Sequence, residues 1–374
     1  MDFDLVFEGG GAKGLAFVGA LQAFERHGHK PRRVLGTSAG SITALLVAAG
    51  YDAAACLAAI NERTADGRSR FASFLEVPDI DENTPVNKDL AFWLKTELDN
   101  PLIPNIIEPV MDKMVVGLLT KSLTRHLISL FSFGGWYAGS ALLEYLHEKL
   151  DAGGRDLGDS TLESFFERTG RDLTVVASDI TGKDMLVLNH RTAPNLPTIW
   201  AVRMSMSCPF VWQEVVWQEQ WGTYRGCDIA GHVVVDGGLL SNFPIKLFLS
   251  NDEEADEMMG KDSAQGNVIG LLLDDHTMVP GAENTERTDS APGLLERSDL
   301  VAIMMNRIMG MAETALSARD LSTIYTYQDM ICKLPAGGYG LLEFDLTHER
   351  MLPILQAGEA AMEAHLNGRF LGQL

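Results

Sequence analysis

A serine set between glycines, a glycine run upstream of it and a carboxylate far downstream are the groups in this chain that could do chemistry together. Gly36-Thr37-Ser38-Ala39-Gly40 has the form G-x-S-x-G. Glu8-Gly9-Gly10-Gly11-Ala12-Lys13-Gly14 precedes it, and Asp236-Gly237-Gly238 follows it. In these roles they read as nucleophile, oxyanion-binding loop and base, the parts that acyl transfer requires. Small residues on both sides of Ser38 allow a sharp strand–turn–helix elbow that pushes Oγ clear of the backbone. Consecutive glycines leave N–H groups open to a cavity, and a helix start behind them favours an anion.

Each motif also has a plainer reading. G-x-S-x-G describes a strand–helix turn with serine as the helix cap. Asp236-Gly237 describes a turn that closes a strand. The glycine run matches a dinucleotide-phosphate pattern, which needs an acidic residue about 20 positions on to hold a ribose. Leu35, Gly36 and Ser38 stand there instead, and Gly14 is followed by Leu15 and Ala16 rather than by a P-loop lysine and hydroxyl. The three motifs together favour catalysis. What they lack is an obvious histidine. The nine histidines stand at 27, 29, 126, 147, 190, 232, 276, 348 and 365. A Ser…Asp…His order leaves His276, His348 and His365, and His276, just after Asp274-Asp275, is the best placed. The alternative is direct deprotonation of Ser38 by Asp236. That requires a partly desolvated carboxylate with a raised pKa, in short contact with Oγ.

The elements around the motifs follow a β-loop-α-β-loop-α pattern. Residues 4–7 read as a short buried strand and 14–27 as a helix that Gly28 stops. Residues 33–35 end a second strand, and Ala39–Ala49 reads as a helix rich in Ala and Leu. Further strands are expected at 173–178, 185–188, 232–235 and 268–273. This is the signature of an α/β fold on a parallel sheet with right-handed crossovers. All three motifs then sit at carboxyl ends of strands, where open α/β sheets gather their functional groups. The basic cluster Arg26, His27, His29, Lys30, Arg32, Arg33 falls at the opposite end and reads as a solvated connection. Residues 251–265 and 280–292 read as polar, acidic loops. Met304, Met305, Met309 and Met311 are expected in a helix that packs into the core.

Composition bounds the rest. At 374 residues and 46% hydrophobic, the chain has ample material for a buried core. A net charge of -21, from 51 acidic and 30 basic residues, disfavours nucleic acid and gives no pull towards an anionic membrane. Lipid contact would have to come from a local apolar surface. Residues 64–140 are punctuated by prolines and contain an apolar stretch, 105–133. Two readings are open for it: helices packed in the core, or a cap over the site that also meets lipid. Cys56, Cys208, Cys227 and Cys332 form no C-x-x-C pair and no zinc spacing, so free thiols are expected. No signal-peptide pattern opens the chain, and no run approaches the ~18 apolar residues of a membrane span, so a cytoplasmic location is expected.

The motif set resembles the patatin-like phospholipase family. Phe7–Gly14 resembles its oxyanion block, with Lys13 where the family carries Arg or Lys. Gly36–Gly40 resembles its nucleophile block, and Ser205-Met206-Ser207-Cys208-Pro209 its third block. Asp236-Gly237-Gly238, followed by Asn242 and Pro244, resembles its fourth. Cys208 and the methionines before it depart from the small residues usual in the third block, which bears on the shape of the pocket. The resemblance implies a Ser38–Asp236 dyad without histidine. It also implies a three-layer α/β/α fold with a mostly parallel central sheet, and hydrolysis of acyl esters, usually of glycerophospholipids, without metal or cofactor. The binding set that follows is Gly9, Gly10, Gly11, Lys13, Gly14 and Ala39. N–H groups of Gly10, Gly11 and Ala39 would hold the oxyanion. Lys13 would orient a phosphate headgroup or serve as a structural cation. A single domain over 1–374 is expected, with a motif core at 4–246, a cap insertion at 64–140 and 250–374 completing the fold. Partners would be a phospholipid or other acyl ester and a peripheral membrane surface. Rival readings are an esterase, thioesterase or acyltransferase on soluble donors, or a silent lipid-binding protein.

Overall fold

The computed structural model of the protein describes residues 1–78, 125–126, 129–130, 132–250, 252–260, 267–282 and 320–371. Most of the apolar stretch 105–133 lies outside the described residues, Leu118, Leu119, Leu127 and Phe131 included. So do Met304, Met305, Met309 and Met311.

The chain opens with β1 (Asp2–Phe7), α1 (Leu15–Arg26), β2 (Lys30–Thr37), α2 (Ala39–Ala48) and α3 (Ala53–Ile60). It continues with β3 (Gly135–Tyr137), α4 (Ser140–Asp151), α5 (Leu162–Thr169), β4 (Asp172–Asp179), β5 (Asp184–Leu188) and α6 (Thr198–Ser205). Then come β6 (Phe210–Trp212), β7 (Val215–Val216), β8 (Val233–Asp236), α7 (Lys246–Leu249), α8 (Glu253–Met259) and β9 (Asn267–Met278). Last are α9 (Leu321–Thr326), β10 (Ile331–Gly337) and α10 (His348–Leu371).

The apolar runs of β1, β2 and β4 become central strands because both of their faces are covered. Leu5 and Phe7 of β1 join a core with α1, α2 and α10, whereas Val6 joins a second core with Phe243, Phe248 and Met259. Alternation of side chains along the strand thus feeds two helical layers, and the architecture is α/β/α. Strands β10, β9, β1, β2 and β4 pair in that order, all parallel. Every residue of helix α2 is buried, and the only polar side chains in it are the small Ser41 and Thr43. No helix among the described residues is long and apolar enough to cross a membrane.

Three expectations are corrected. The strand that carries Asp236 runs antiparallel to β4 rather than with the parallel set. Residues 253–259 form a helix, not a loop: the Asp252 side chain caps it by accepting from the Ala255 N–H, and Glu253, Glu254 and Asp256 suit its positive end. The basic cluster is not simply solvated either. Arg33 is buried and pairs with the fully buried Asp4, which Arg32 also binds. Burial alone would raise the Asp4 carboxyl, but the two guanidinium groups hold it below its ordinary value.

Candidate active site

The register of β4 explains how two residues so far apart in sequence meet. Strand β5 pairs with Val175–Asp179 along one edge of β4. The other edge is shared: β2 pairs with residues 172–176 and β8 with residues 177–179. Thr37 lies opposite Val176 and Asp236 opposite Ala177, so the carboxyl ends of β2 and β8 meet head to head. Ser38 is the next residue after one strand, and Asp236 ends the other.

Ser38 Oγ donates a 2.7 Å hydrogen bond to Asp236 Oδ2. The other carboxylate oxygen accepts from the Gly238 N–H at 2.8 Å, which fixes the plane of the group. The turn Asp236-Gly237-Gly238 therefore orients its own aspartate. Burial pushes the Asp236 carboxyl up to about 7, against the hydrogen bonds from Ser38 and Gly238, which act to lower it. Ser38 has φ 51° and ψ -129°, a conformation that costs a non-glycine residue about 1–3 kcal/mol. The surroundings hold it there. Its N–H donates to Ser205 Oγ at 2.8 Å, and that hydroxyl donates onward to the Val176 carbonyl at 2.6 Å.

The glycine run lies directly against this elbow. A Cβ on Gly9 would sit 3.0 Å from Ser38 Cβ and 2.2 Å from Asn242 Oδ1, so only glycine fits. Asn242 grips the loop twice: its carbonyl accepts from the Gly9 N–H at 3.2 Å, and its Nδ2 donates to the Gly9 carbonyl at 3.0 Å. Glu8 braces that clamp. Its oxygens accept from the Leu273 N–H at 2.6 Å and from Asn242 Nδ2 at 3.2 Å, and desolvation pushes its carboxyl up to about 8. The N–H groups of Gly10, Gly11 and Ala39 find no acceptor among the described residues. Gly9 is committed to Asn242, and Gly14 forms the N-terminal boundary of α1.

The remaining candidates fall elsewhere. Lys13 is buried and its Nζ pairs with Asp275 at 2.8 Å, the geometry of a structural cation. His276 is exposed near the end of β9, and its backbone N–H donates to Asp274. His232 bonds Asp179 at 2.7 Å. Among the described residues no histidine contacts Ser38 or Asp236, and no group of three or more His, Cys, Asp or Glu is arranged to hold a metal. Sequence reasoning gave no individual role to Ser205, Glu8, Asn242 or Arg203. Arg203 is buried, donates to Ser207 Oγ and to the carbonyls of Ala138 and Gln213, and is pushed down to about 10 by burial. Ser207 in turn accepts the Asp236 N–H at its carbonyl. The third block thus holds both Ser38 and Asp236, through the Ser205 hydroxyl and the Ser207 carbonyl. Its serines were visible in the sequence, but their partners depend on β4 and β8.

Comparison with known proteins places residues 5–249 in the patatin-like phospholipase family. Over 374 residues the chain is 28% identical to the uncharacterized protein YqhO of Bacillus subtilis (strain 168), covering 98% of each. It is 22% identical over 244 residues to the probable lipid hydrolase 463L of Invertebrate iridescent virus 6, covering 65% of this chain and 62% of the viral one. Among solved structures, VipD from Legionella pneumophila aligns with a TM-score of 0.45 and 18% identity, covering 98% of this chain and 67% of VipD.

Proposed function

This chain belongs to the patatin-like phospholipase family and is a hydrolase, and we propose that it cleaves acyl ester bonds of glycerophospholipids through a Ser38–Asp236 dyad. The observation that carries the reading is the 2.7 Å contact between Ser38 Oγ and a buried Asp236 carboxylate oxygen. Asp236 takes the Ser38 proton as Oγ attacks the ester carbonyl. The oxyanion forms against the N–H groups of Gly10, Gly11 and Ala39, where one lost donor typically costs about 2.7–4 kcal/mol of barrier. Collapse expels the alcohol, which leaves with the proton from Asp236, and the acyl group stays on Ser38. Asp236 then deprotonates a water that attacks the acyl-serine, releasing the carboxylic acid and restoring the serine hydroxyl.

An aspartate near its ordinary pKa of ~3.9 is a weak base for an alcohol, and the value of about 7 at Asp236 brings it close to working pH. The test is mass-spectrometric product analysis of a mixed phospholipid preparation. Wild type should release free fatty acid and lysophospholipid, and folded Ser38→Ala should release neither. Hydrolysis by folded Ser38→Ala at wild-type rates would overturn the dyad. A fluorophosphonate label should attach at Ser38.

A further inference from the structure

We propose that the cleft leading away from Ser38 seats one acyl chain of the substrate, and that Phe344 and Leu346 set the chain length it accepts. This rests on the acyl-hydrolase reading of the same site. The cleft starts beside Ser38: its neighbours Ala39 and Met206 line it, and Met206 Sδ lies 3.9 Å from Ser38 Oγ. Ile42 of α2 and Phe71 continue the wall, and Phe344 and Leu346 complete it. The cleft is narrow, with a cavity volume of about 40 Å³, so its walls lie close to any chain it admits. Exposed Asn61 and Arg63 stand at its rim. The Arg63 guanidinium is already engaged by Asp345 and by the carbonyls of Gly67 and Leu346. An apolar chain therefore meets mostly carbon along the wall, broken by the small polar side chains of Thr43 and Ser69, and the rim cation is already satisfied.

Phe344 and Leu346 lie beyond residue 249, where the family match ends. The segment that presents them is fastened at both ends. Its buried carboxylate, Glu343, also borders the cleft but is held by Arg350 through bonds of 2.6 and 3.0 Å and by the Gly340 N–H at 3.0 Å. Arg350 donates further to the Gly338 carbonyl at 2.8 Å, and Tyr339 Oη donates to the Arg350 carbonyl at 2.6 Å. At the other side the Leu341 carbonyl accepts the Ala12 N–H at 2.9 Å, which joins this strap to the glycine loop. The Phe344 ring stands 6.4 Å from those of Phe71 and Trp212. A wall tied down in this way has a fixed width, and width is what discriminates between acyl chains differing by methylenes.

The experiment uses the full chain and a series of p-nitrophenyl esters from butyrate to palmitate. Phe344→Ala opens the cleft and should raise the palmitate-to-butyrate ratio of kcat/KM about tenfold, the low end for a changed methylene contact. Leu346→Phe narrows it and should move the same ratio in the opposite direction. Thermal melting identifies a variant that fails to fold, and the other variant then carries the test. A second arm is independent of turnover. Dansylaminoundecanoic acid should bind Ser38→Ala protein, and Leu346→Phe in that background should weaken binding about tenfold. Unchanged ester profiles and unchanged probe binding in folded variants would overturn the proposal. Probe binding that responds to Leu346→Phe in a protein that hydrolyses no ester would overturn the hydrolase reading and leave the cleft assigned.

Discussion

Asp236 has to ionise in order to accept the Ser38 proton, yet its surroundings resist ionisation. That conflict is measurable twice. If the carboxylate is the base, kcat/KM on a soluble ester should rise with pH and level off above an apparent pKa of about 7. A profile already flat down to pH ~5 would remove Asp236 from the role. The same shift acts on stability. The folded state holds the Asp236 proton more tightly than the unfolded chain, whose aspartate titrates near its model value of 3.8. Its contribution is therefore complete below about pH 4 and is lost as pH rises through about 7. Asp236→Asn removes that loss. By differential scanning fluorimetry the variant should melt above wild type at pH ~8, with the gap shrinking towards pH ~4, while ester turnover is abolished. On the proposed dyad, histidine enters neither effect. His276→Ala and His232→Ala should keep kcat/KM within about tenfold, and a loss of ~10⁴-fold in either folded variant would restore a triad.

Elements place these residues, and here the sequence was readable in part. The strands preceding the glycine run and Ser38, the helix behind each, and the strand ending at Asp236 all show as local apolar runs bounded by glycines. Their direction does not show. A four-residue strand such as β8 has the same composition whichever way it runs, so its antiparallel pairing with β4 was not legible. Only the sharing of one β4 edge by β2 and β8 brings Ser38 and Asp236 together. The cap of α8 is a different case. Asp252 followed by Glu253 and Glu254 is a legible helix start, but the acidity of the stretch suggested a loop. The loop clamp depends on tertiary contact: Asn242 stood out as part of the fourth block, but its spacing did not say that it would hold Gly9. The Asn242 side chain supplies one of the two bonds to Gly9 and the bond to Glu8, so Asn242→Ala keeps only the backbone bond and should let the glycine loop drift from the developing oxyanion. Steady-state kinetics on a soluble ester should show kcat down about 10²-fold, the cost of a displaced group of this kind, with KM changed far less. An unchanged kcat would mean that the clamp is dispensable.

At the scale of the whole molecule, the family match and the fold have different boundaries. The match ends at residue 249, and no motif marks the final third. That third nevertheless supplies β9, which pairs with β1 over Phe3–Phe7, and β10 beyond it. Sheet edges and helix cover are built from ordinary apolar residues, so their place in the fold leaves no signature that a motif reading can find. Helix α10 lies on α1 at very short range: a Cβ on Gly19 would fall 1.9 Å from the Leu355 carbonyl, and one on Gly358 would fall 2.1 Å from that of Ala16. Arg26 and His27 at the end of α1 pair with Glu359 and Glu363 of α10. Cutting the chain after residue 249 would leave one edge of β1 unpaired and strip α1 of its cover on the face that carries Ala16 and Gly19. An open strand edge beside bare apolar surface is an aggregation site. The 1–249 fragment should therefore be recovered mainly as aggregate, without a cooperative melt by circular dichroism and without fluorophosphonate labelling of Ser38. A monomeric, labelled fragment would show that the family-matching residues fold alone and that the final third is an accessory to the site.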